Sequence, residues 1–105
     1  MISSLKQLFG LGPKTDFAKL VKEGAIIVDV RSKAEYAAGH IKGSVNISLD
    51  SLGSSLGKLS DKNKPIITCC ASGMRSASAK NLLLSRGYKQ VYNGGGWYGL
   101  QNKIR

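Results

Sequence analysis

Two short runs of branched apolar residues, "AIIVDV" (25–30) and "PIITCC" (65–70), do most to limit what this chain can fold into. Their apolar residues are consecutive rather than alternating, as in a strand covered on both faces. Such strands sit inside parallel sheets, whose neighbours are joined by crossover segments, usually helices. The sequence between and around the runs provides them. Thr15 can cap a helix carrying Phe17, Leu20 and Val21 and stopped by Gly24, and "SKAEYAAG" (32–39) reads as a short helix ended by Gly39. "SVNI" (44–47) reads as a short strand, and Leu49, Leu52, Leu56 and Leu59 fall at helical spacing weakened by Gly53 and Gly57. Beyond the second run, Ala79, Leu82 and Leu83 form a core-facing stripe that Gly87 ends; "KQVYN" (89–93) is a last strand before a "GGG" turn (94–96) and a terminal segment. The expected fold is α/β, a three-layer sandwich with a mostly parallel central sheet and helices on both faces.

At 105 residues the chain is long enough for one core and too short for two, so one domain over 1–105 is expected. Residues 1–14, with apolar Ile2, Leu5, Leu8 and Phe9, read as an amphipathic N-terminal extension rather than a signal peptide, since they lack a basic start and an unbroken apolar stretch. No apolar run reaches the ~18 residues a membrane span needs. Cys69 and Cys70 are the only cysteines, and adjacent cysteines do not reach disulfide geometry without strain, so a reducing, cytoplasmic setting is expected. One histidine, His40, leaves a Cys/His zinc site without ligands. The net charge of +10 is uneven: residues 62–105 carry eight basic side chains and no acidic one. That field attracts anions and favours thiolate over thiol. The lysines are scattered without interleaved aromatics, which argues against nucleic acid as the partner.

The second apolar run ends in cysteine and passes through a glycine-containing loop into a helix. A sulfur placed there faces the unpaired N–H groups and positive end of the helix, which stabilise a nucleophilic thiolate. Gly73 permits positive φ, so the amides of residues 71–75 can turn inward as an anion nest, with Arg75 closing the ring.

"CASGMRS" (70–76) resembles the C-x-x-G-x-R-S loop of the rhodanese-like sulfurtransferases. "VDVRSKAEYAAGHIKGSVNI" (28–47) and "GYKQVYNGGGW" (87–97) resemble that family's other signatures, in the same order along the chain. The resemblance is to the single-domain members and implies a rhodanese-like sandwich. It implies that Cys70 attacks a sulfane sulfur donor such as thiosulfate, carries the sulfur as a persulfide and passes it to a dithiol or protein acceptor, with no cofactor or metal. Ala71, Ser72, Gly73, Met74, Arg75 and Ser76 would bind the small anionic donor. Ala71 and Met74 stand where members often carry polar residues, so contacts there are expected from backbone alone.

Two other readings stay open. Counted from Cys69 the stretch is C-x5-R-S, the spacing of cysteine phosphatases, which makes a small phosphatase or arsenate reductase an alternative; a non-catalytic sulfur-carrier module is another. The glycine position and the absence of a histidine before Cys69 favour Cys70 as nucleophile, with Cys69 a packed thiol. Asp29, Arg31 and Trp97 are possible pocket residues, and Arg31 and Glu35 are spaced to pair on a helical turn. His40 is expected to fix the 39–43 turn rather than act as a base.

Overall fold

The computed structural model describes residues 15–105; the amphipathic extension expected over 1–14 lies outside them. The elements in chain order are α1 (Phe17–Lys22), β1 (Ile26–Asp29), α2 (Lys33–Ala38), β2 (Val45–Asn46), α3 (Leu49–Leu52), a 3-10 turn (Leu56–Leu59), β3 (Ile66–Cys70), α4 (Met74–Ser85), β4 (Val91–Gly96) and α5 (Trp97–Ile104). The strands form one sheet in the order β2-β1-β3-β4, and every neighbouring pair is parallel. The two apolar runs are the central pair, with Ile26 opposite Ile66 and Asp29 opposite Cys69. The α/β sheet expected from the sequence is present, and it is wholly rather than mostly parallel.

Alternation along β1 and β3 feeds two separate cores. Val28, Val30, Ile66 and Cys70 pack on one face with Leu52, Leu59, Ala79, Leu83 and Tyr88, beneath α3 and α4. Ile27, Ile67 and Cys69 pack on the other with Ile41 and Leu100, closed by Phe17, Leu20, Trp97 and Ile104 from α1 and α5. Burying one such side chain contributes roughly 1.5–3 kcal/mol. Neither face of the central strands could therefore stay wet, which is why their sequences lack alternation.

Three local expectations give way to nearby chemistry. Asp16, not Thr15, caps α1, because its carboxylate accepts the Lys19 amide at 3.0 Å. The leucine-spaced segment breaks at Gly53 into α3 and the 3-10 turn, yet Leu52 and Leu59 both remain buried. Residues 94–96 do not form a turn: they extend β4, which carries an irregularity in its pairing with β3 between Thr68 and Cys70. Glycine is required at 94 by proximity, since a β-carbon there would lie 2.8 Å from both Ile67 and Leu100 side chains and 2.9 Å from the Thr68 carbonyl. This close approach lays the end of β4 beside the loop that follows β3.

Candidate active site

Strand alternation sends the two adjacent cysteines to opposite faces of the sheet. Cys69, fully buried, joins the α1/α5 core, whereas Cys70 ends β3 beneath the start of α4. The chain then turns through exposed Ala71 and Ser72 to Gly73, whose φ of +103° is left-handed and whose position is the N-cap of α4. A glycine cap has no side chain to receive the helix's first amides. The Cys70 sulfur takes that place: Gly73 N–H donates to Sγ at 2.9 Å and Ser76 N–H at 3.4 Å. Burial alone pushes the Cys70 thiol up, but hydrogen bonds from the Ser76 hydroxyl and amide and from the Gly73 and Ser72 amides outweigh it and hold the group below an ordinary cysteine. Of the amides that hydrogen-bond to the sulfur, that of Gly73 falls within the expected nest over residues 71–75 and that of Ser76 lies one residue beyond it.

Cys69 has the opposite character. Burial, reinforced by the Asp29 carboxylate, pushes its thiol up to about 12. The two adjacent sulfurs are thus shifted in opposite directions, Cys70 towards thiolate and Cys69 towards thiol. A thiol with a raised folded-state pKa contributes stability that is intact below its ordinary value of 9.0 and drains away as pH climbs towards about 12. Over that window wild type is expected to lose about 1 kcal/mol per pH unit more than Cys69→Ala, which lacks the group. Urea titrations of both proteins at pH 8, 9, 10 and 11 would check this, and parallel curves would refute it.

The loop is held from behind by a network that sequence reasoning did not single out. The Ser76 hydroxyl, which has a single proton to give, lies 2.6 Å from Asn93 Oδ1 and 3.0 Å from the Gly73 carbonyl. Asn93 Oδ1 also accepts the Gly95 amide at 2.9 Å, and Thr68 Oγ1 donates to the Ser76 carbonyl at 2.9 Å. The available clue was a polar residue, Asn93, directly before the glycines at the carboxyl end of a strand.

Arg75 does not turn its charge on the sulfur alone. Its Nη1 and Nη2 fork onto Glu35 Oε1 and Oε2 at 2.7 and 2.9 Å. Glu35 at the same time completes a capping box on α2, accepting the Ser32 amide at 3.0 Å while the Ser32 hydroxyl accepts the Glu35 amide at 3.2 Å. The Arg75 fork, with Ser32 assisting, draws the Glu35 carboxyl down to about 2. Met74, between these loop residues, is 80% exposed.

The pair expected between Arg31 and Glu35 does not form. Arg31 instead turns back on Asp29: Nε and Nη2 donate to its two carboxylate oxygens at 2.9 and 2.7 Å, with both residues buried. The remaining donors reach the Glu35 carbonyl at 3.2 Å and the Gly39 carbonyl at 2.7 Å, and the guanidinium lies 4.8 Å from the Trp97 ring centroid. Asp29, Arg31 and Trp97, which sequence reasoning placed in a possible pocket, therefore form a strut on the Cys69 side of the sheet, its ion pair buried and Trp97 half-buried against it. His40 stacks on Tyr36 at 3.8 Å, and its Nδ1 donates to the Tyr36 carbonyl at 2.8 Å.

A buried parallel sheet whose third strand ends in a cysteine capping the next helix is the arrangement that known proteins can be compared with. Residues 14–103 match the rhodanese-like domain family. The chain belongs to that family. Among rhodanese-like sulfurtransferases, it is 35% identical over 74 residues to the thiosulfate sulfurtransferase GlpE of Pseudomonas fluorescens, covering 70% of this chain and 67% of that one. Against GlpE of Haemophilus influenzae the identity is 34% over 75 residues, covering 71% and 70%. The fold is similar to that of a human single-domain sulfurtransferase, with TM-score 0.71 and 30% identity over 81% of this chain and 88% of that one. It is also similar to an E. coli rhodanese solved with anions, with TM-score 0.68 and 31% identity over 72% and 91%. Among the described residues of this rhodanese-like chain, no helix is long and apolar enough to cross a membrane.

Proposed function

We propose that this chain is a sulfurtransferase that moves a sulfane sulfur from thiosulfate or a similar small anion to a thiol acceptor through a persulfide on Cys70, as one domain, without a cofactor, in the cytoplasm. One observation carries the reading: the Cys70 sulfur accepts the amides of Gly73 and Ser76 at the start of α4, where negative charge on sulfur is stabilised. The Cys70 thiolate attacks the outer sulfur of thiosulfate; a bond forms between the two sulfurs, and sulfite leaves with the electron pair of the broken S–S bond. The terminal sulfur then lies over the loop of Ala71, Ser72, Gly73, Met74, Arg75 and Ser76, whose amides hold its charge. A nucleophilic acceptor, a dithiol or a protein thiol, attacks that sulfur and returns Cys70 as thiolate. Asp29, Arg31 and Trp97 act at one remove, by holding the end of β1.

The phosphatase reading uses an arginine side chain to grip phosphate, and here Glu35 already engages both terminal nitrogens of Arg75. Intact-protein mass spectrometry after incubation with thiosulfate is expected to show a gain of ~32 Da, the mass of one sulfur atom, that dithiothreitol removes. Turnover of an aryl phosphate with no such gain would support the phosphatase instead.

A further inference from the structure

We propose that Asn93 is a positioning residue for Cys70: from β4 it holds the turn at Gly73 and Ser76 so that both amides stay aimed at the sulfur, a role that rests on Cys70 being the reacting cysteine. The Asn93 side-chain amide has three partners, and each of its ends is matched to them. Oδ1 accepts the Gly95 amide at 2.9 Å and faces the Ser76 hydroxyl at 2.6 Å, while Nδ2 donates to the Gly73 carbonyl at 3.4 Å. The Gly95 amide can only donate and the Gly73 carbonyl can only accept, so this orientation of the side chain is the one that satisfies both. Gly73 and Ser76 are also the two residues whose own N–H groups reach Sγ, at 2.9 and 3.4 Å. One exposed side chain on β4 therefore grips both residues that solvate the sulfur. The two segments it joins are in contact, since a β-carbon on Gly73 would lie 3.5 Å from the Gly95 α-carbon.

Gly73 offers no side chain to be held, so the aim of its amide depends on what anchors its backbone. Hydrogen bonds that point at the sulfur favour its charged form, and a turn free to wander gives part of that up. Losing Asn93 has one opposing effect, because it frees the single Ser76 proton, which would acidify the thiol if it turned to sulfur. The Gly73 carbonyl, 3.0 Å from the same hydroxyl, is placed to take that proton instead, so the loosened turn is the larger effect. The charged groups around the sulfur are Arg75 of α4, with Glu35 of α2 on its fork, and the Asp29–Arg31 pair at the end of β1 behind the sheet. A neutral substitution at position 93 leaves all of them in place.

The test reads the thiolate directly and needs no sulfur transfer. Alkylation of Cys70 by iodoacetamide is followed by mass spectrometry as a function of pH, in a Cys69→Ala background so that one sulfur reports. Asn93→Ala is expected to move the midpoint of that profile up by about one pH unit. Asn93→Ser keeps an oxygen for the Gly95 amide but is too short to reach Gly73, so it should recover resistance to urea while its midpoint stays raised. A loss of stability in Asn93→Ala with an unchanged midpoint would make the residue merely structural and overturn the proposal. So would a downward shift, which would mean that Asn93 competes with the sulfur for the Ser76 proton. Should Asn93→Ala fail to fold, the midpoint of Asn93→Ser decides in the same way. An upward shift alongside an absent sulfur adduct in wild type would count against the sulfurtransferase reading and leave this one standing.

Discussion

Cys70→Ala is expected to take up no sulfur from thiosulfate and to lose at least ~10³-fold of thiosulfate-dependent sulfur transfer, because the covalent intermediate has nowhere to form. Cys69→Ala is expected to keep most of the activity. The contrast follows from geometry that sequence adjacency hides. One side chain faces the amides of Gly73 and Ser76, and the other is packed with Ile67 and Leu100 beside the Asp29 carboxylate. Cyanide-dependent thiocyanate formation, measured alongside adduct mapping, would check both variants. Retention of the adduct by Cys70→Ala, or its loss in Cys69→Ala, would mean the wrong sulfur has been assigned.

The largest effect on stability is expected at the strut. Arg31→Ala leaves the Asp29 carboxylate fully buried without its partner and strips hydrogen bonds from the Glu35 and Gly39 carbonyls. Breaking a buried pair from one side typically costs about 3–5 kcal/mol, a large share of the ~5–15 kcal/mol that holds such a domain together. Arg31→Lys should recover only part of it, since one ammonium cannot reach both carboxylate oxygens and two separated carbonyls at once. Replacing both members with apolar residues, Asp29→Leu with Arg31→Met, should be milder than Arg31→Ala, because no orphaned charge remains. Urea unfolding of the three variants would measure these differences, and a cost below ~1 kcal/mol for Arg31→Ala would show that water reaches Asp29.

Features governed by near neighbours in the chain could be read in advance. β1 and β3 declare themselves by unbroken apolar runs, α2 ends at Gly39 as expected, and Gly73 does adopt the positive φ that the loop needs. Features that depend on distant neighbours could not. Glu35 is four residues from Arg31, so local spacing suggests that pair, but its partner lies 40 residues further on; Arg31 is meanwhile captured by Asp29, a competitor that is buried with it. Three successive glycines look like a turn because their usual virtue is flexibility. At position 94 the virtue is thinness, which shows only when Ile67 and Leu100 close around it. Asn93 went unnoticed for the same reason: nothing in its own neighbourhood announces Ser76 as a partner.

The pleat that parts the two cysteines also bears on where transferred sulfur can go. A sulfur atom carried on Cys70, as proposed, would have no second thiol within the described chain to take it onwards, because its sequence neighbour is on the far side of a continuous sheet, shifted towards thiol and walled in. On the proposed mechanism, discharge would then wait for another molecule to arrive from solution, and the lifetime of the loaded form would be set by how often a suitable visitor calls.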